Sequence, residues 1–551
     1  MTANPWTHRL FLVALTTLLT LPNLGGPALW DMDEGVNAEC AREMMESGTW
    51  IVPTFNWELR SAKPVLLYWL QRASYNAFGV TEWSARFPAA LLAIGSVLLT
   101  YQLGRRMFDA GVGLLAGVAL ASTVQFAMLS HAATPDAPLI FFTIATFYGV
   151  WVGHENGGRG WFVLPAIPCG LAVLTKGPVG LVVPGAAFVA YFAWNREARR
   201  VLDWKLLAGI LVYGLVTVPW VAFVTAETRG AWLLKFLKNE NLDRMTTAQE
   251  NHAGPVYFYA VCVIVFAAPW SSVIGVTLYH AAKATRRAAD GTLSSTARAT
   301  RFLLAWVAAY FVPFSLVATK LPNYVAPLYP ALALLTAWFL VGYARRAISP
   351  PRWVMAVACA GVALTGVGLV AGLLLASGVV PLDVKGMRVF PGLERCAPIG
   401  LIPLVASAVM ARAVLRDDRR RFVTALAVAA VGVVGLVAAF AVFPVDARKA
   451  PKTLVFTSGA YQPERDIRLA TLQYAADNQS LVFYAERRVE TFSSVADARA
   501  FLAMTHPSYL FVPEPVWREH FENDPATPPH RITASKYDYS RNAVILVVTN
   551  E

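Results

Sequence analysis

The stretch Asp31–Tyr68, DMDEGVNAECAREMMESGTWIVPTFNWELRSAKPVLLY, decides how the rest of the chain reads. It follows directly on a first apolar run that begins beyond His8 and Arg9 and ends near Leu24. It opens on the acids Asp31, Asp33 and Glu34 and continues as an amphipathic segment. Lys63-Pro64 then introduces a second amphipathic segment. Acids held against a membrane are costly, and chemistry is one reason to keep them there.

The chain around this stretch has the composition of a polytopic membrane protein. Of its 551 residues, 56% are hydrophobic and 15% charged, against about 25% charged in soluble domains. Apolar runs long enough to cross a bilayer centre on Leu18, Gly95, Leu120, Ile144, Gly170, Phe188, Val216, Phe266, Val307, Leu334, Leu369, Val405 and Val433. They predict an α-helical bundle of about thirteen transmembrane helices. Thr175-Lys176-Gly177-Pro178 interrupts one long tract and reads as a tight turn, with a helix starting at Pro178. The first run has no small-x-small cleavage site after it and reads as a retained span rather than a signal peptide. The cysteines Cys40, Cys169, Cys262, Cys359 and Cys396 are odd in number and scattered. They form neither a disulfide framework nor a zinc motif.

The net charge of +12 is a topology signal, not a nucleic-acid footprint. Cations collect in alternate loops: Arg105-Arg106; Arg159; Arg196, Arg199 and Arg200; Lys283, Arg286 and Arg287; Arg345-Arg346; and Arg416 with Arg419–Arg421. Those loops read as cytoplasmic. The opposite loops, 25–83, 131–135, 175–178, 226–254, 319–322 and 378–395, then face outward, as does everything beyond Pro444. Residues 1–445 thus form the membrane domain. Within its first outer loop, Ala38–Ser47 and Pro64–Phe78 read as helices lying in the interface plane. Residues 446–551 are polar and read as a small outer α/β domain. Its expected strands are Ser480–Tyr484, Tyr509–Val512 and Ala543–Val548, with a helix over Val495–Met504.

The outer loops hold the polar residues that look deliberate. Asp33 and Glu34 open the first loop, and Asp136, in His131-Ala-Ala-Thr-Pro-Asp136, stands at the outer start of a span. A plain reading makes each a helix-start acid favoured by the dipole. The cations Lys63, Lys176, Arg244 and Lys320 lie outward, against the charge bias. Any one of these lysines can be a snorkelling side chain, but four such cations together predict anion binding. Lys320-Leu-Pro-Asn-Tyr324 adds a tyrosine hydroxyl at a helix entrance. His252 offers a ligand to a divalent cation, Zn or Mg, without the spacing of further ligands that a metal site needs. A lone loop histidine is ordinarily just solvated.

Taken in order, these motifs resemble a known family. Asp33-Glu34 followed by Ala38-Glu39 and Ala41–Met44, Lys63-Pro64 with Tyr68-Trp69, Leu174–Gly177, Asn241–Arg244 and Thr319–Tyr324 are similar to the bacterial lipid A aminoarabinose transferases. These belong to the wider protein-O-mannosyltransferase-like, GT-C class. The resemblance implies an inverting transfer of 4-amino-4-deoxy-L-arabinose or a related sugar from a polyprenyl-phosphate donor. The acceptor would be lipid A or another envelope molecule, at the periplasmic face of a bacterial inner membrane, among membrane lipids and with no nucleic-acid partner. No cofactor is required. The resemblance implies an essential acid at Asp33 and a phosphate-binding lysine at Lys63. By chemistry, Arg244, Lys320, Lys176 and Tyr324 join Lys63 around the donor phosphate, and Glu34 and Asp136 join Asp33. Two departures stand close to these residues. Val36-Asn37 replaces a frequent Arg-Tyr, and Ala62 replaces a frequent Glu before the Lys-Pro. A hydroxyl acceptor, as in protein O-mannosyltransferases, stays open. A transporter is the rival from another class, but it predicts charges near the midplane and repeated halves, and a ligand-binding sensor leaves the outer cations without a role.

Overall fold

The computed structural model describes residues 4–155, 163–197, 199, 205–244, 252–287, 291–381, 388–474 and 479–551. Arg159, Arg200 and the Gln249-Glu250-Asn251 segment beside His252 lie outside them.

Every expected apolar centre falls inside a helix. Among the described residues eight helices are long and apolar enough to cross a membrane, or ten if each of two bent pairs counts as one span. The other three centres lie in the shorter helices Pro5–Thr20, Val163–Lys176 and Val179–Asn195. The chain is therefore a multi-pass membrane protein, though helix length and composition alone do not carry all thirteen expected crossings. The bent pairs are Ala110–Ala121 with Val124–Ser130, at 66°, and Phe258–Phe266 with Trp270–Ala284, at 114°. A break in a span frees backbone carbonyls, which nearby hydroxyls and neighbouring helices must satisfy. Here the Ser122 and Thr123 hydroxyls donate to Val118 and Ala119 carbonyls at 2.6 and 2.7 Å. Trp270 Nε1 donates to Ser122 Oγ at 3.1 Å, so the two breaks meet.

Among the described residues, cation-rich loops are joined to one another by ion pairs. Arg106 pairs with Glu155 at 3.2 Å, Arg345 with Asp109, and Arg346 with Asp417. Each pair ties two such loops together, as the charge alternation requires. The core between the ends is apolar and aromatic, centred on Phe147 stacked on Trp306 at 3.8 Å.

The first outer loop folds into helices Val36–Glu46 and Leu66–Phe78 with a short hairpin between them, β1 (Thr54–Phe55) and β2 (Glu58–Leu59). The first helix leaves Glu46 of its polar side exposed but not the rest of that side. Glu39, Arg42 and Glu43, on its polar side, are buried. Arg42 forms a two-pronged bond to Glu39, and the Glu43 carboxylate accepts the Trp57 N–H at 3.1 Å. The hairpin and the C-terminal domain cover that part of the helix.

The C-terminal domain is a five-stranded sheet in the order β4-β3-β5-β7-β6. β3 (Arg468–Leu472), β4 (Val489–Phe492) and β5 (Ser508–Pro513) run parallel. β6 (Arg531–Asp538) and β7 (Ala543–Thr549) run antiparallel to their neighbours. The strands expected near Tyr509 and Ala543 are present, and so is the helix at Val495–Leu502. Ser480–Ala485 is a helix, not the expected strand, and all six of its residues are buried. A short continuous apolar run has no periodicity to separate the two. The period of two along β5 divides its side chains between faces. Leu510 and Val512 pack with Phe501 and Trp517. Tyr509 and Phe511 share a core with Val36, Cys40 and Met44 of the first outer loop.

Candidate active site

The acids that open the first loop sit on a single wide turn, Asp31–Gly35, closed by Gly35 N–H donating to the Trp30 carbonyl at 3.0 Å. The two neighbours have different surroundings. Glu34 is 1% exposed. Its carboxylate accepts Arg86 Nε and Nη2 at 2.8 and 2.7 Å, Ala133 N–H at 2.7 Å and Trp30 N–H at 2.9 Å. Burial alone raises a carboxyl pKa. Here the Arg86 guanidinium outweighs it, and with Lys449 and the Trp30 N–H holds Glu34 below its ordinary range. Arg86 spends its remaining donors on the carbonyls of Leu24, Pro27 and Ala28. Glu34, expected beside Asp33 among the catalytic acids, has its carboxylate oxygens occupied by these partners. It is an internal tie that joins the Asp33 turn to the first long span and to the loop before Asp136.

Asp33 is exposed, and its charge reaches Lys63. Lys63 lies in the turn ahead of helix Leu66–Phe78, with 27% of its side chain exposed, and its ammonium is 3.8 Å from Glu240 Oε2. Burial pushes its pKa down to about 8. Glu240 opposes that shift, the cations Lys176 and Arg244 add to it, and Asp33 opposes it weakly. Arg244 Nε donates to Glu240 Oε2 at 3.1 Å, and its Nη1 to the Tyr324 hydroxyl at 3.5 Å. Lys176, the last residue of its helix, bonds Asp136, the first residue of another. Its ammonium also stands 5.6 Å from the centre of the Tyr324 ring. Asp136 Oδ2 accepts Asn323 Nδ2 at 3.0 Å. The turn behind Lys176 uses Gly177 at φ +82°, where a Cβ would meet the Phe236 ring at 2.5 Å. Glycine there brings helix Ala231–Leu237, and with it Glu240 and Arg244, against the lysine.

The structure thus brings together Asp33, Lys63, Asp136, Lys176, Arg244 and Tyr324 from separate segments of the chain. It does not bring Lys320. That side chain is buried and turns back, its ammonium donating to the carbonyls of Ser315 and Val317 at 2.8 Å. The expected phosphate contact is corrected to a cap on the end of helix Ser295–Leu316. The Lys320 N–H bonds the His252 carbonyl at 2.8 Å. Among the described residues no three His, Cys, Asp or Glu side chains lie close enough together to hold a metal ion. Sequence reading missed Glu240, although its four-residue spacing to Arg244 is a visible helical pair. It also missed Arg86, which no spacing marks, and Asn323, which lies inside a motif it did single out.

The fold is of the polytopic GT-C membrane type. A crystal structure of ArnT from Cupriavidus metallidurans bound to undecaprenyl phosphate superposes with a TM-score of 0.78 over 100% of this chain and 99% of that one, at 23% identity. An oligosaccharyltransferase from Archaeoglobus fulgidus in the apo form gives a TM-score of 0.52 at 12% identity, covering 93% of this chain and 70% of that one. Residues 62–223 match the family described as dolichyl-phosphate-mannose-protein mannosyltransferase. In sequence the chain is similar to an uncharacterized protein of Aquifex aeolicus (strain VF5), 34% identical over 334 residues that make up 60% of this chain and 64% of that protein. It is also 30% identical over 350 residues to the undecaprenyl phosphate-alpha-4-amino-4-deoxy-L-arabinose arabinosyl transferase of Enterobacter sp. (strain 638), covering 63% of this chain and 61% of that enzyme. The chain therefore spans less than two thirds of these relatives. The resemblance drawn from the ordered outer-loop motifs is borne out: within the GT-C class the likeness is to the aminoarabinose transferases.

Proposed function

We propose that this protein is a membrane glycosyltransferase that takes a sugar, 4-amino-4-deoxy-L-arabinose or a close relative, from a polyprenyl-phosphate donor. The acceptor is lipid A or another envelope molecule at the outer face of the membrane. One observation carries the reading. Lys63, Lys176, Arg244 and the Tyr324 hydroxyl converge beside Asp33, in loops opposite those rich in arginine. Anion-binding groups at the lipid surface on the outer side are what a lipid-phosphate leaving group requires.

The chemistry follows from the charges. The bond between sugar C1 and the phosphate oxygen breaks, and its electron pair goes to that oxygen. Preorganised cations stabilise the charge as it develops, and no general acid is needed. Lys63 and Arg244 act as the phosphate contacts, with Tyr324 donating a hydrogen bond and Lys176 completing the positive field. Asp136 is a positioning residue that holds Lys176 and Asn323. The acceptor oxygen attacks C1 from the opposite face and inverts it. If that oxygen is a hydroxyl, its proton passes to the Asp33 carboxylate. If it is an ionised lipid A phosphate, no proton moves, and Asp33 orients it or stabilises positive charge on the sugar ring. Glu240, 3.8 Å from Lys63, supplies the carboxylate that Ala62 lacks relative to the family. Asn37, the other departure, donates to the Ala133 carbonyl at 3.1 Å and braces the loop before Asp136.

The test is transfer by the purified protein in liposomes containing a labelled polyprenyl-phosphate aminoarabinose and lipid A. Label is expected to move to lipid A. An intact donor after incubation with folded protein overturns the transferase reading, and transfer to a protein hydroxyl instead moves the acceptor to the mannosyltransferase type.

A further inference from the structure

We propose that the C-terminal domain positions Asp33. The strap Ala28–Gly35 that carries this acid is clamped between the bundle and the domain, and Tyr484 and Gly35 are the residues through which the domain acts. The proposal rests on the transferase reading of Asp33.

A domain appended for another purpose needs only side-chain contacts with the loops beneath it. Here it binds the main chain just ahead of the acid. Ala28 N–H donates to Asp446 Oδ1 at 2.7 Å, and the Ala28 carbonyl accepts Lys449 Nζ at 2.6 Å. Leu29 N–H donates to the Tyr484 hydroxyl at 2.7 Å. The Lys449 ammonium lies 4.0 Å over the Trp30 ring, and Tyr539 meets that ring edge-on at 5.9 Å. At the far end of the strap the approach is closer still. A Cβ on Gly35 would stand 2.5 Å from Ser480 Cα and 2.7 Å from Ser480 N, so only glycine lets the Asp31–Gly35 turn lie on helix Ser480–Ala485.

The Tyr484 hydroxyl does two things at once. It accepts from the strap and donates to Glu82 Oε1 at 3.2 Å. Glu82 opens the first long span and also pairs with Lys452 of the C-terminal domain. Strap, domain and span are thereby fixed to one another at a single oxygen. The Arg86–Glu34 pair holds the strap from the bundle side. The domain supplies the other half of the clamp, and Asp33 projects from between them. Losing the hydroxyl leaves the buried Leu29 N–H without an acceptor, which the strap can relieve only by moving.

The experiment is a double-mutant cycle between Tyr484→Phe and Asp33→Asn, read by labelled-donor turnover with donor binding measured separately. Phe keeps the ring packing and removes one oxygen. Tyr484→Phe is expected to lower kcat about tenfold with donor affinity unchanged, a fraction of the ~100-fold that a 1 Å misplacement can cost. In the Asp33→Asn background the same change should alter kcat by less than about twofold, because residues acting through one group are not additive. Gly35→Ala, checked for folding by thermal unfolding, should behave as Tyr484→Phe does. Equal losses in both backgrounds, or a Tyr484→Phe enzyme as fast as wild type, overturn the positioning role. A wild-type protein that does not consume the donor overturns the transferase reading itself, which is a separate outcome.

Discussion

Asp33 and Glu34 are neighbours with the same charge on the same turn, and the fold treats them oppositely. Glu34 is sealed, with Arg86 and two backbone N–H groups filling its carboxylate. Asp33 is exposed, and its charge reaches Lys63, which also stands 3.8 Å from Glu240. The same contrast recurs among the lysines: Lys320 is sealed against carbonyls, while Lys63 stands half-buried among charges of both signs. A buried charge that is fully paired has nothing left to offer a substrate. A charge held among shared partners at an open surface does.

Breaking the sealed pair should have the largest effect, on stability. Glu34→Gln leaves the Arg86 guanidinium buried without its counter-charge, and removing one partner of such a pair costs about 3–5 kcal/mol. The expected outcome is a large fall in the thermal midpoint of the detergent-purified protein, with donor affinity per folded molecule kept and turnover lowered by no more than about tenfold, as for loss of the other half of the clamp. A Glu34→Gln protein of normal stability and no turnover would return Glu34 to the chemistry.

Asp33→Asn should do the reverse. It keeps the shape and most hydrogen bonds of an exposed side chain, so stability should change by no more than about 0.5 kcal/mol. Turnover should fall about 100-fold or more, the range for loss of a general base or an electrostatic stabiliser. Donor binding should survive, because the phosphate cations are untouched. Turnover within a few-fold of wild type at matched expression would remove Asp33 from catalysis and turn attention to Asp136.

Much of the fold and part of the site are legible in the chain alone, for a physical reason. Apolar runs and the sign of loop charges report on a slab-like solvent, so the helix centres, the outward loops and the turn at Gly177 all emerge from the residues themselves. What periodicity cannot report is which way a side chain turns at the end of a helix. Lys320 lies in an outer-loop motif that reads as anion-binding, yet its ammonium folds back onto carbonyls three and five residues earlier. Successive residues on a helical turn point in different directions, so Asp33 and Glu34 had to differ, but only the tertiary partner Arg86 decides which one is enclosed. Ser480–Ala485 failed for a related reason: its burial comes from the first outer loop, far away in the chain, and leaves no pattern in its own sequence.

The lysine contrast is sharpened by a pair of substitutions. Lys63→Ala should weaken donor binding by about 1.5–3 kcal/mol, the range for a hydrogen bond to a charged group, with little change in thermal midpoint. Lys320→Met should lower the midpoint by uncapping its helix and leave donor affinity within about twofold, since it removes no contact with the phosphate. Titration of the purified variants with donor checks both. Equal losses of affinity in the two would place Lys320 back at the phosphate.

The smallest expected effect separates binding from folding by its sign. Burial and the neighbouring cations hold the Lys63 pKa at about 8, below the roughly 10.4 of a free lysine. As pH rises from 7 to 9 the ammonium is lost from the unliganded enzyme, and apparent donor affinity should weaken by about tenfold, one decade for each pH unit past the pKa. Stability moves the other way. A lysine whose folded pKa is depressed destabilises the fold while it is protonated, and that penalty is relieved as pH climbs from about 8 toward the unfolded value. Over this window the Lys63 contribution to stability should therefore rise while donor binding falls, so unfolding cannot account for the loss. Lys63→Arg, which stays charged throughout, should flatten the affinity profile across the same range. Donor affinity measured by titration at pH 7, 8 and 9 for both proteins checks this. A wild-type profile as flat as that of Lys63→Arg would mean that the Lys63 ammonium does not meet the phosphate, and that Arg244 and Lys176 carry the anion without it.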